Sequence, residues 1–144
     1  METTFTVYGE PVGKGRPRFS RQGAFVRAYT PEKTVSYENL VKLEYGNQSG
    51  KHFGDKELGM RIIAYFSIPK ATSKKQRERM KSGRVHPAKK PDIDNICKVV
   101  ADALNGIAYD DDRQITYAEI AKRYDDAPRL TVTIFEMEGG EESA

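Results

Sequence analysis

The chain has 144 residues, a formal net charge of +3 and a single cysteine, Cys97. A length of this order folds around one hydrophobic core, and a lone cysteine excludes an internal disulfide framework and fits a reducing compartment. No apolar run approaches the ~18–20 residues of a membrane span and the N-terminus lacks the apolar core of a signal peptide, so a cytoplasmic protein with no membrane partner is expected.

Residues 3–8 alternate, with Phe5 and Val7 on one side, and predict a short strand. Gly9, Pro11, Gly13, Gly15 and Pro17 then punctuate a loop, and a second strand is expected over 24–29. Thr30, Pro31 and Glu32 read as an N-cap, a first-position proline and an acidic first turn. The helix they open is expected to present Tyr37, Leu40, Val41 and Tyr45 inward and to stop at Gly46. Residues 60–68, rich in β-branched and aromatic side chains, predict a buried strand ended by Pro69. Residues 70–90 hold nine Lys or Arg against the single acid Glu78. Ser73 can cap a short exposed helix running to Lys81, but the segment has few hydrophobic anchors and is expected to order on a ligand.

The helix expected over 92–105 is the best defined. Ile93, Ile96, Val99, Val100, Ala103 and Leu104 gather on one face, while Asp94, Lys98 and Asp102 stack at i, i+4, i+8 on the other. Asn105 and Gly106 close it. Strands over 114–123 and 130–135 flank the turn-like Asp125-Asp126-Ala127-Pro128 and read as a hairpin; from Glu136 onward the chain reads as an acidic, frayed tail. The expected architecture is a single α+β domain over 1–137, a mixed β-sheet with two main helices packed on it in the order β-β-α-β-α-β-β, followed by a disordered tail over 138–144.

Three features carry chemistry. Asp92 and Asp94 open the helix, where acids serve either as caps for free N–H groups or as hard ligands for a cation. Asp110, Asp111 and Asp112 follow in a loop, where three successive carboxylates need either full solvation or a cation. Lys98, one turn beyond Asp94, fits an ordinary i,i+4 ion pair or a charge that stabilises a phosphoryl group in transfer. Around them lie two basic segments: Lys14, Arg16 and Arg18 with Arg21 and Arg27, and then Lys74, Lys75, Arg77, Arg79, Lys89 and Lys90 within 70–90. Blocks of this kind fit a polyanionic partner or a merely solvated surface. His52 and His86 lie far apart, lack metal-ligand spacing and read as surface residues; the 9–15 loop is no Walker motif. Cys97 reads as a packed residue, not a reactive thiol.

Lys90-Pro91-Asp92-Ile93-Asp94-Asn95-Ile96-x-Lys98, then Asp102-Ala103-Leu104-Asn105-Gly106, then Asp111-Asp112-x-Gln114-Ile115, resembles the signature of the RusA family of Holliday junction resolvases of bacteria, their phages and prophages. The segment Gly9 to Arg18 is similar to the N-terminal loop of many members. The resemblance implies a homodimeric, Mg²⁺-dependent endonuclease, with Mn²⁺ as an alternative metal, that cuts branched DNA, four-way junctions above all, by paired symmetric nicks in recombination and repair. It implies metal-binding catalytic acids at Asp92, Asp94 and Asp112 and a catalytic lysine at Lys98. Asp111 matches the adjacent acid of the pair, and Asp102 is open between binding metal and fixing Lys98. Lys14, Arg16, Arg18, Lys74, Lys75, Arg77, Arg79, Lys89 and Lys90 are the expected DNA-binding residues, gripping phosphates rather than reading bases. The rival readings are a non-catalytic nucleic-acid-binding protein and, less suited to two long basic segments, a small-molecule phosphohydrolase.

Overall fold

The computed structural model describes residues 1–138, so the acidic tail expected from 138 onward lies, past its first residue, outside the described residues. Strands β1 (Glu2–Tyr8), β4 (Leu58–Ser67), β5 (Ile115–Asp125) and β6 (Arg129–Glu136) form one mixed sheet in the order β1-β6-β4-β5. Strands β2 (Arg18–Gln22) and β3 (Phe25–Tyr29) form a separate two-stranded hairpin. The helices are α1 (Glu32–Gln48), α2 (Lys74–Lys81) and α3 (Ile93–Leu104). The α+β class and the mixed sheet are as expected; α2 is a third ordered helix, and the strand foreseen over 24–29 belongs to the hairpin instead of the sheet. Among the described residues no helix is long and apolar enough to cross a membrane.

One face of the sheet is apolar. Phe5 and Val7 of β1, Met60, Ile62, Ala64 and Phe66 of β4, and Leu130, Val132 and Ile134 of β6 are all buried. Their register stacks them in one layer, with Val132 opposite both Phe5 and Ile62. Tyr37, Val41 and Tyr45 of α1 and Ile96, Val99, Val100, Ala103 and Leu104 of α3 close over this layer. Ile93, expected on that packing face, is 47% exposed because it sits in the first turn, beyond the edge of the core. The opposite face is polar, with cross-strand pairs such as Thr4–Thr133 and Arg61–Glu119, as a sheet covered on one side requires.

The hairpin expected over 114–135 does not form. β4 lies between β5 and β6, parallel to the first and antiparallel to the second. β4, most of whose residues are buried, is paired along both edges, and the connection 126–128 therefore steps across it. Asp125 holds that step: its carboxylate takes the Asp126 N–H at 2.8 Å and the Arg129 guanidinium at 2.9 Å. Glu136, read as tail, continues β6 and donates its N–H to the Met1 carbonyl at 3.0 Å.

Two further expectations are corrected. The α2 segment has anchors within the fold that its sequence did not suggest: Met80 is buried, and Lys81 and Arg77 reach Asp126 at 2.6 and 3.6 Å. Ser73 caps it as expected, accepting from the Gln76 N–H at 3.3 Å. Helix α1 starts from Pro31 with no side-chain cap, not from Thr30, and runs through Gly46 to Gln48. Its stop is Gly50, at φ +71°, where the N–H groups of Ser49 and Gly50 both donate to the Tyr45 carbonyl at 2.9 Å. Gly46 sits in the last turn of α1, still helical, with open space where a Cβ would be. We expect Gly46→Ala to raise stability by about 0.5–1 kcal/mol and Gly50→Ala to lower it, measured by urea unfolding. A loss at Gly46 with a gain at Gly50 would mean that Gly46, not Gly50, terminates the helix.

Candidate active site

Small residues let the 9–17 loop lie across the first turn of α3. A Cβ on Gly13 would come within 2.6 Å of the Pro91 Cβ and 3.0 Å of the Asn95 Cβ. The Lys14 N–H donates to the Asn95 carbonyl at 2.8 Å, and the Gly15 N–H donates to the buried Thr34 hydroxyl of α1 at 3.0 Å. Clamped between two helices, the loop walls two adjoining clefts. The larger, about 570 Å³, carries Arg16, Arg18, Lys33, Lys89 and Lys90 beside Phe66. The Phe66 ring is flanked by the ammonium groups of Lys89 and Lys122, each 5.7 Å from its centre. The second, about 510 Å³, is lined by Arg16, Lys90 and Asp92 together with Lys14 and Asn95.

Asp92 occupies the N-cap position, but its carboxylate makes no cap hydrogen bond, so capping does not account for it. It is exposed, as is Asp94 in the first turn. Farther along the same helix, Lys98 lies 3.6 Å from Asp102. Asp102 is also 3.3 Å from Lys14, which in turn meets Glu38 of α1 at 2.9 Å. Burial pulls the Lys14 pKa down, but the two carboxylates outweigh it and hold the value above that of an ordinary lysine. Lys14, expected to grip phosphate, is thus turned inward as a tie between α1 and α3.

The three loop acids have different surroundings. Asp110 faces His52 at 3.6 Å. Asp111 caps the short 3₁₀ turn Asp112–Gln114, accepting from the Arg113 N–H at 3.0 Å, while Gln114 accepts the Asp111 N–H at 2.8 Å. The Gln114 amide also donates to the Gly54 and Lys56 carbonyls at 2.8 Å, which anchors the loop to the approach to β4. The Arg113 N–H holds the Asp111 carboxyl below the usual carboxylate range. Partial burial and then the Asp111 and Asp102 charges push Asp112 above it, with Lys98 acting in the opposite sense. Asp112 is therefore the acid of the triple on which the charges of Asp102 and Lys98 act, in surroundings where a cation would relieve its own charge.

The helix spaces the remaining acids apart. At ~1.5 Å per residue the backbones of positions 92 and 102 are separated by about 15 Å along α3. Among the described residues no three His, Cys, Asp or Glu side chains converge closely enough to hold a metal. Of the expected DNA-binding residues, Arg16, Arg18, Lys89 and Lys90 share the larger cleft. Lys75 and Arg79 line a separate groove with Arg84, and Arg77 is paired with Asp126. Cys97 is half-buried, and burial pushes its thiol pKa up, as a packed residue requires.

The sequence model described as Endodeoxyribonuclease RusA matches residues 8–135. The chain belongs to the RusA endodeoxyribonuclease family. It is also similar to the uncharacterized protein YqaN of Bacillus subtilis (strain 168), 37% identical over 135 residues that cover 92% of this chain and 95% of that protein. The blocks 90–98, 102–106 and 111–115 all fall inside the RusA match. Glu38 and Thr34 were not foreseen: no motif marks them, and only the packing of α1 on α3 brings them to the loop. The spacing of Gln114 from Asp111 did carry a signal, that of a capping box.

Gly13→Ala is expected to lift the loop from α3 and lower DNA affinity by about tenfold at moderate salt. The check is fluorescence anisotropy on a labelled duplex beside a thermal melt. Full affinity would mean that the seating of this loop does not contribute to binding.

Proposed function

We propose that this RusA-family chain is a Mg²⁺-dependent, structure-selective endodeoxyribonuclease that resolves four-way DNA junctions by paired nicks, acting as a homodimer. The observation that carries the reading is the second cleft, which an uncapped Asp92 lines together with Arg16 and Lys90. A DNA backbone drawn in by those cations brings a phosphodiester against the start of the acidic stripe of α3.

The donor chemistry fits a hard cation. Magnesium typically takes one or two carboxylates together with water and substrate phosphate oxygens, so a complete protein cage is not required. Asp92 and Asp94, free of capping bonds and exposed, and Asp112, burdened by like charge, would hold it once cation and substrate phosphate draw together carboxylates that stand apart here. When bound, the metal supplies an activated water and polarises the phosphoryl oxygen. Lys98 contributes a positive charge beside Asp112 that favours the more negative transition state. Asp102 and Lys14 position Lys98, and Asp111 positions Asp112. Arg16, Arg18, Lys89 and Lys90 grip the backbone, and the α2 cations lend a second, more distant contact.

Dimerisation is argued from the substrate. Each chain carries one such acid set, whereas a four-way junction needs cuts on two opposed strands and has approximate two-fold symmetry, which an isologous dimer matches.

Asp92→Asn, Asp94→Asn and Asp112→Asn are each expected to suppress junction cleavage nearly completely while leaving junction binding intact. Lys98→Ala is expected to slow single-turnover cleavage by roughly 10². The assay is a synthetic four-way junction with and without Mg²⁺, beside linear duplex and single strand. Full cleavage by any two of the three Asp variants would remove the metal-site assignment, and metal-independent binding without cleavage would favour a non-catalytic binding protein.

A further inference from the structure

The β2–β3 hairpin presents apolar side chains to solvent on both faces. Phe19, Phe25 and Val26 are 71%, 78% and 66% exposed, and Tyr29 is 46% exposed. The register places Phe19 and Val26 on one face and Phe25 and Tyr29 on the other, with Gly23 at φ +61° making the two-residue turn at the tip. An isolated two-stranded hairpin is marginal in water, and one carrying exposed aromatic residues lacks half of its packing.

Charge decides what covers it. Residues 11–31 contain five cations, Lys14, Arg16, Arg18, Arg21 and Arg27, and no acid. A second copy of the same hairpin would bring like charge against it, whereas a polyanion complements it. Position decides where on the polyanion it acts. Arg18, the first residue of β2, lines the cleft beside Lys90, and five residues at ~3.4 Å per residue carry the hairpin tip about 17 Å outward from there.

A ring has no free base face to stack on within a continuous duplex, where insertion costs an unstacked step. At a branch point the end pairs of each arm expose a π face, and aromatic stacking there is favourable. We infer that the β2–β3 hairpin enters the branch point of a DNA junction, with Phe19 and Phe25 stacking on exposed bases and Arg21 and Arg27 holding the flanking phosphates. The inference rests on the junction reading above and assigns structure selectivity to residues outside the acidic site.

The test uses the full chain, a four-way junction with 2-aminopurine at the branch, and a linear duplex of equal length, in Ca²⁺ to prevent cutting. If wild-type protein shows no preference for the junction, the junction reading itself fails. If it does prefer the junction, Phe19→Ala/Phe25→Ala should lose about tenfold or more in junction affinity and much less in duplex affinity, together with the branch-point fluorescence change. Phe19→Trp/Phe25→Trp should restore both. An undiminished junction preference in the Ala variant, or equal loss on both DNAs, overturns the hairpin assignment while leaving the junction reading standing. A fall in sedimentation mass accompanying the loss overturns it too, because the hairpin would then be covered by a second copy.

Discussion

Lys14 donates its backbone N–H to Asn95 and its ammonium to Glu38 and Asp102, and these contacts tie a cationic loop to the helix that carries the acids. Without Gly13 the approach is too close to make, because a side chain there meets Pro91 and Asn95. Everything distinctive about the site follows from that seat. Arg16 and Arg18, both exposed, line the larger cleft with Lys90, and Asp92 lines the adjoining one with Arg16 and Lys90. The same lysine holds Asp102, and through it Lys98, so one residue couples the binding cleft to the middle of the acidic stripe.

Division of labour among neighbouring acids is the second theme. Asp111 and Asp112 are adjacent in sequence yet displaced in opposite directions, one by an N–H donor and the other by burial and like charge. The capping box of Asp111 with Gln114 engages the first with the Arg113 N–H and fixes the backbone that presents the second. Tyr109 adds to this: fully buried, it donates its hydroxyl to the Ala101 carbonyl at 2.8 Å and ties the start of the acidic loop to α3. An acid that caps and an acid that stays free are indistinguishable by composition but differ in what their backbone neighbours leave available.

What was legible in the sequence was local or strongly periodic. The apolar stripe of α3, its stop at Asn105-Gly106, the buried strand read over 60–68 and found at Leu58–Ser67, and the Ser73 cap each depend on residues within a few positions of one another. The contiguous motifs likewise pointed to the RusA family and to the order of its blocks. What was missed depends on distant partners. The Asp125–Pro128 segment looks like a hairpin turn, and only the demand of β4 for two neighbours separates the strands on either side of it. The ion pair of Lys14 with Glu38, 24 residues away in sequence, exists only because α1 packs there and has no local signal. Gly46 looks like a helix stop because composition cannot tell a helical glycine from Gly50, whose positive φ ends the helix.

The central claim is that acids on α3 and in the Asp112 loop act on a phosphate through a hard divalent cation. The most direct measurement replaces a non-bridging oxygen of the scissile phosphate by sulfur, at the cut site mapped on a four-way junction, and compares single-turnover rates in Mg²⁺ and Mn²⁺. Sulfur is a poor ligand for Mg²⁺ and a better one for a softer ion. The account predicts a strong loss of cleavage in Mg²⁺ and its recovery in Mn²⁺; equal rates for the oxygen and sulfur substrates in Mg²⁺ would contradict it.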